Sequence, residues 1–375
     1  MAITLNGDTG ILTPMYNGSI TSNAVTPSVN MKSRIINGAM VIDQRNAGAS
    51  VTPTSGTYTL DRWVAYLSQT SKLTIQQNAG SVTPPAGFTN YLGVTSSSAY
   101  SVISTDEFNI NQPIEGFNVA DLGWGTANAK TVTLSFWVRS SLTGTFGGCL
   151  RNGAVSRSYP FSYTISAANT WEQKSITVAG DTTGTWATNN TTGLFVTIGL
   201  GNGSSTSNTA GAWAAGNFTN ATGATSVVGT NGATFYITGV QLEVGSTATS
   251  FDYRPYSTEL ALCQRYYWKW NSEGGSSTYL CGAFSYGTTQ VYGVVKLPVT
   301  MRTTPNLTTS GTASHYGVFA GSTAITASGV PAIETAGVDM CNIGITSLAS
   351  STTNGFGGSI RALNASGYLG FAAEL

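Results

Sequence analysis

From Ile35 to Pro255, apolar and polar residues alternate with a period of two, the spacing that places every second side chain on one face of a strand. Thr131 to Arg139 is the clearest run, with Val132, Leu134, Phe136 and Val138 pointing one way and Thr133, Ser135, Trp137 and Arg139 the other. Leu194, Val196, Ile198 and Leu200 repeat it. In Phe235 to Val244 the phase slips by one residue at Gly239, which predicts a glycine bulge there. Apolar spacing of helical period is missing from this stretch. Many strands joined by Gly-rich turns predict a β-sandwich closed around an internal core.

The flanking segments differ. Residues 1–33 have few large apolar side chains and are broken by Gly7, Gly10, Pro14, Gly18 and Pro27, so they are expected to form an extended arm without a core of its own. Gly201 to Gly232 is nearly all Gly, Ser, Thr, Asn and Ala and is expected to be a long loop or a loose pair of edge strands. After Pro255, Ser257 can cap a helix, Glu259 lies in its first turn, and Leu260, Cys263, Gln264 and Tyr267 fall on one stripe. Short strands such as Gln290 to Leu297 follow, separated by Pro298, Pro305 and polar turns. The expected fold is all-β: an arm over 1–33, a jelly-roll sandwich over 34–256, a linking helix over 257–272 and a smaller C-terminal β-domain over 273–375. No internal repeat points to a solenoid or propeller.

Composition narrows the chemistry. Charged residues are 9% of 375, against about 25% in an average soluble protein. Lys plus Arg and Asp plus Glu are 16 each, so the formal net charge is zero and nucleic acid is not an expected partner. With 41% hydrophobic and 10% aromatic residues the chain can nevertheless fill a core. No stretch approaches the roughly 18 apolar residues of a membrane span, so no membrane insertion is expected. The start has no basic region followed by an apolar one, so the sequons at Asn190 and Asn217 are expected to be chance products of an Asn/Thr-rich chain. Cys149, Cys263, Cys281 and Cys341 are scattered and are expected to be reduced thiols. His315 is the single histidine and is expected in an exposed loop. Most acids stand alone, and the adjacent Asp106 and Glu107 would point to opposite faces of a strand. With no nucleophile elbow, P-loop or HExxH pattern, catalysis is not expected.

Aromatic side chains are the remaining candidates. Trp213 and Phe218 are the isolated large side chains of the Gly201–Gly232 loop, and Trp186 and Tyr159 lie beside turn residues. Such rings could offer the CH-stacking platform that a neutral sugar requires, or be covered by another subunit. Trp63, Trp137 and Trp171 fit strand patterns and are expected to pack on a sheet. Glu243 with Arg254, and Asp61 with Arg62, are expected to satisfy one another structurally.

Five motifs in order carry a family resemblance: Asn37-Gly38-Ala39-Met40-Val41-Ile42-Asp43-Gln44-Arg45-Asn46, Asp61-Arg62-Trp63, Ser135-Phe136-Trp137-Val138-Arg139, Gly239-Val240-Gln241-Leu242-Glu243-Val244-Gly245 and Tyr253-Arg254-Pro255. Over roughly residues 34–270 the chain resembles a module of bacteriophage tail fibres and receptor-binding virion proteins, a jelly-roll of the galactose-binding, carbohydrate-binding-module type. The opening Ile3-Thr4-Leu5-Asn6-Gly7-Asp8-Thr9-Gly10 is similar to virion-attachment starts, and Leu297-Pro298-Val299-Thr300-Met301-Arg302-Thr303-Thr304-Pro305 is similar to C-terminal fibre domains. The resemblance implies a homotrimer, made in the host cytoplasm and built into the virion. Residues 1–33 would meet tail or baseplate proteins, and the far end would meet host polysaccharide or lipopolysaccharide. It implies no cofactor, leaves a structural calcium open with no ligand named, and keeps three alternatives: a capsid decoration or head fibre, an adaptor that binds only virion proteins, and a depolymerase.

Overall fold

The computed structural model describes residues 31–272, 278–320 and 323–375 and, before them, the backbone of two short strands. Those strands, Leu5–Asn6 and Gly10–Ile11, pair antiparallel within a unit formed by Met1–Lys32, and Ser33–Leu375 form a second unit. The attachment role expected of residues 1–33 otherwise falls outside the described residues.

Two antiparallel sheets make the jelly-roll-like sandwich. One has seven strands in the spatial order Ala214–Ala215, Arg157–Ile165, Gly144–Asn152, Thr192–Asn202, Glu107–Glu115, Trp63–Leu67 and Thr57–Leu60. The other has five: Glu172–Val178, Val132–Ser140, Thr234–Val244, Leu92–Ser96 and Leu73–Gln77. Period-two patterning explains the core directly. Val132, Leu134, Phe136 and Val138 meet Phe108, Ile110, Leu194, Val196 and Ile198 between the sheets, all of them fully buried. The slip expected at Gly239 is present: the pairing with Val132–Ser140 shifts register between Thr238 and Gln241, and Gly239 takes φ 61°. A Cβ there would sit 2.6 Å from the Phe88 ring, so the bulge also makes room for an aromatic neighbour.

The helix is shorter than expected over 257–272. It spans Tyr256–Gln264 with Pro255 at its N-cap, and no side chain caps it, so Ser257 lies inside the first turn. Proline's fixed φ starts the helix without a hydroxyl. Its buried face is Glu259 and Cys263, one turn apart, and Leu260 is only half-buried. Tyr267 leaves the helix because Tyr267–Asn271 is a strand paired with Tyr368–Ala372, where Trp268 stacks on Phe371 at 5.1 Å.

That strand pair and Asn306–Thr309 form a three-stranded sheet beside a seven-stranded one, and the two enclose a second core of Val295, Val318, Ile343, Ile345, Ile360 and Phe371. Val291–Lys296 confirms the strand expected from Gln290 to Leu297. His315 is half-buried at the end of a short turn of 3-10 helix rather than in an exposed loop, because its Nδ1 lies 2.9 Å from Ser310 Oγ. All four cysteines are free thiols.

Where the sandwich packs beside the second core, charge concentrates. Arg62, 1% exposed, pairs through Nη1 with Glu374, donates through Nη2 to the Pro113 carbonyl, and lies 3.6 Å over the Tyr266 ring. Arg45 pairs with the same carboxylate at 2.7 Å and lies 3.6 Å over Tyr267. Glu115 accepts two hydrogen bonds from Arg265, at 2.9 and 2.6 Å, and one from the Tyr266 hydroxyl at 2.7 Å. Arg302 donates to the carbonyls of Asn190, Ala373 and Glu374. The expected Asp61–Arg62 pair does not form, since adjacent residues diverge and Asp61 instead accepts both Gln44 N and Gln44 Nε2 at 2.7 Å. Glu243 and Arg254 likewise find other partners, Gln241 and Thr249 for the former and Glu259 with the Ser33 and Ile35 carbonyls for the latter.

Glu374→Gln keeps the shape and removes the negative charge that Arg62 faces. Breaking such a pair from one side costs about 3–5 kcal/mol, and a drop of that size in the urea unfolding free energy is expected. Burial raises the Asp61 carboxyl from 3.8 to about 7. A carboxyl raised by folding holds its proton more tightly in the native state, so its contribution is complete below the usual value and is lost as pH climbs through 7. Wild-type protein should therefore lose stability relative to Asp61→Asn between pH 4 and 8, by up to roughly 4 kcal/mol at about 1.4 kcal/mol per pH unit. Parallel urea titrations of both proteins across that range measure it.

Candidate functional site

Three of the four sequence-nominated aromatics come together. Trp213 precedes the edge strand Ala214–Ala215, whose pairing with Arg157 and Ser158 brings it beside Tyr159, ring centroids 5.3 Å apart. Trp186 lies 5.4 Å from Trp213 in an edge-to-face contact. Trp124, which the sequence did not single out, completes the group at 4.7 Å from Trp186 and 5.3 Å from Trp213. Each indole N–H is used internally: Trp213 donates to Ala179 O, Trp186 to Thr183 O and Trp124 to Lys130 O. Phe218 stands apart from these rings, half-buried, with its backbone N–H on Ser158 Oγ.

A buried ion pair props this cluster. Asp181 accepts Arg157 Nε at 2.7 Å and Nη2 at 3.0 Å, together with the Thr183 hydroxyl and backbone N–H. Burial would raise the Asp181 carboxyl, but the hydrogen bonds from Arg157 and Thr183 outweigh it and hold it below the usual range. Arg157 crosses Gly184, where a Cβ would lie 2.6 Å from its Cγ. Edge-to-face contacts join Trp213, Trp186 and Tyr159 into a packed aromatic wall, each ring half-buried.

A second arrangement lies on the outer face of the seven-stranded sheet. Strand register sets Arg151 opposite Phe195, Thr197 opposite Asn111, and Asn109 opposite Tyr66. Asn109, Asn111 and Thr197 form a fully buried polar floor, and Tyr66 and Phe195 are half-buried rings on it. Arg151 is 6% exposed and lies 5.1 Å over the Phe195 ring. It donates to Asn217 Oδ1 at 2.6 Å and, at a long 3.4 Å, to Asn111 Oδ1 and the Thr197 hydroxyl. The Thr197 hydroxyl itself bonds to Asn111 Oδ1. Among the described residues Arg151 Nε, Asn111 Nδ2 and Asn109 Oδ1 have no hydrogen-bond partner and no carboxylate forms a salt bridge with Arg151. Burial lowers the Arg151 pKa. Burial raises the Tyr66 phenol, which lies within electrostatic reach of both Arg151 and Glu107.

The signal for this face was in the sequence. Glu107, Asn109 and Asn111 alternate with Phe108 and Ile110, so one carboxylate and two amides occupy the outward positions of an interior strand. Among the described residues no three His, Cys, Asp or Glu side chains converge as a metal site would require, and no ligand is assigned to the calcium left open by the resemblance.

No protein-family model and no curated protein sequence matches the chain. Among solved structures it is similar to the enzymatically active domain of tailspike protein 4 of bacteriophage CBA120, at 11% identity and a TM-score of 0.32, covering 57% of this chain and 22% of that one. The chain therefore spans under a quarter of the length of that solved domain. It is also similar to TmCBM61 in complex with β-1,4-galactotriose, at 8% identity and TM-score 0.29, covering 57% and 99%. A family 11 carbohydrate-binding module from Clostridium thermocellum, in complex with a mixed-linked tetrasaccharide, gives 12% identity and TM-score 0.27, covering 52% and 95%. The likeness is distant and concerns the jelly-roll-like sandwich; the chain's own side chains have to identify its ligand.

Trp213→Ala removes the ring that three others contact. The expected result is a loss of the near-ultraviolet circular dichroism arising from the coupled indoles, with a stability loss of about 1–3 kcal/mol for a half-buried aromatic. Unchanged dichroism and stability would mean that the rings do not support one another.

Proposed function

We propose that this protein is a non-enzymatic, receptor-binding fibre subunit of a tailed bacteriophage, a homotrimer that attaches the virion to host surface glycans. The five ordered motifs support the viral assignment. The observation that carries glycan binding is the set of unpartnered polar groups on the outer sheet face, two donors in Arg151 Nε and Asn111 Nδ2 and one acceptor in Asn109 Oδ1, beside two aromatic rings. An apolar partner would leave all three unsatisfied, at about 1–3 kcal/mol each. A phosphate could accept but not donate. A sugar hydroxyl does both, and its CH face suits Tyr66 and Phe195. These atoms are buried in the free protein, so a sugar reaches them only when the side chains over them move aside. Each contact is weak alone, and three copies per fibre raise the effective affinity by linkage.

Glycan arrays and purified host polysaccharide probe this directly. Tyr66→Ala and Arg151→Met, both folded by circular dichroism, should each weaken binding at least tenfold. Binding by neither wild type nor variants to any host glycan would overturn the glycan assignment. Shortened host polysaccharide after incubation would overturn the non-enzymatic one. Immunogold label on tails is the expected virion result; label on heads would replace the tail fibre with a head fibre.

A further inference from the structure

A separate cavity of about 130 Å³ opens where the segment from Ser33 to Val41 runs past Phe88 and the chain leading into the helix. We propose that it is a second sugar site, and that it takes the terminal ring of a neutral glycan.

Three rings wall it. Phe88 and Phe251 meet edge to face at 5.0 Å, Phe251 and Tyr253 at 4.9 Å, and Tyr253 also lies 5.5 Å from Phe88. Tyr253 is 58% exposed, unusual for a ring held by two others, and its hydroxyl bonds to nothing among the described residues. Gly87, at φ +90°, leaves the space that hydroxyl occupies, since a Cβ there would come within 2.5 Å of it.

The wall's charges are divided between used and available groups. Arg254 sends Nη1 to the Ile35 carbonyl at 3.0 Å and to Glu259 at 3.2 Å, and Nη2 to the Ser33 carbonyl. Glu259 also accepts Asn37 N–H. Both groups are therefore committed to the wall. Asp252 is committed through one oxygen only: Oδ2 accepts Ser33 N–H at 3.3 Å and forms an ion pair with Arg254 Nε at 3.5 Å, while Oδ1 takes no hydrogen bond among the described residues. One carboxylate acceptor beside one phenol, over an apolar floor of Ile35, Ala39 and Val41, matches a vicinal diol with a CH face behind it. An acidic sugar would meet Asp252 and Glu259 together. A cationic one would meet Arg254.

Size selects one ring. At about 130 Å³ the cavity is well under the ~300–1,000 Å³ of pockets that enclose a drug-sized ligand. It suits the end of a glycan rather than a run of residues along it. The proposal rests on this cavity and does not require the sheet face to bind.

Saturation-transfer NMR on the full chain, with neutral methyl glycosides of glucose, galactose, mannose, rhamnose and N-acetylglucosamine as probes, tests it. At least one should give a signal whose affinity falls tenfold or more in both Tyr253→Ala and Asp252→Asn and is unchanged in Tyr66→Ala. Tyr253 is exposed and Asp252→Asn is isosteric, so both variants should fold. Silence from all five probes overturns the cavity site, whatever the glycan array shows for the sheet face. A signal lost in Tyr66→Ala but kept in the two cavity variants also overturns it, and leaves the sheet-face reading standing.

Discussion

The buried contact between Arg62 and Glu374 is the constraint on which the packing of the sandwich beside the second core rests. A guanidinium that is 1% exposed loses hydration worth several kcal/mol, and only a well-placed carboxylate with further hydrogen bonds offsets that loss. Glu374 supplies the charge, the Pro113 carbonyl a further acceptor and the Tyr266 ring a face for the cation. These partners come from the sandwich, from the turn after the helix and from the last residues of the second domain, so the pair is satisfied only when all three are docked. Arg45, Arg265 and Arg302 repeat the same logic around it. A chain with 9% charged residues thus gathers many of them at one seam, where ionic geometry fixes orientation, and leaves neutral residues to cover much of the surface.

Local pattern made the strands legible. Val132 to Val138 alternate because one face is core, and Gly239 marks a bulge because a phase slip needs a residue with φ above zero. The end of the helix was hidden for a non-local reason: Tyr267 is taken into a strand by Tyr368–Ala372, about a hundred residues away. Charge partners were hidden likewise. Asp61 and Arg62 are neighbours in sequence and diverge in space, and the carboxylate that Arg62 finds is 312 residues on.

The candidate site divides in the same way. Trp213, Trp186 and Tyr159 stood out as large rings in small-residue surroundings, which is a compositional signal. Their mutual contact, with Trp213 at the centre and Trp124 added to it, is set by the pairing of Ala214–Ala215 with Arg157 and Ser158 and could not be read from spacing. On the sheet face, the outward amides of Glu107–Glu115 were visible, but not that Thr197 and Arg151 from two other strands would share their floor, nor that the sharing would leave donors unmatched.

The separation between Arg62 and Glu374 also bears on synthesis. At about 5–20 residues per second, the arginine leaves the ribosome on the order of 15–60 s before its counter-ion is made. The seam cannot be completed before Glu374 is made, and a chain ending short of it would leave Arg62 without its carboxylate.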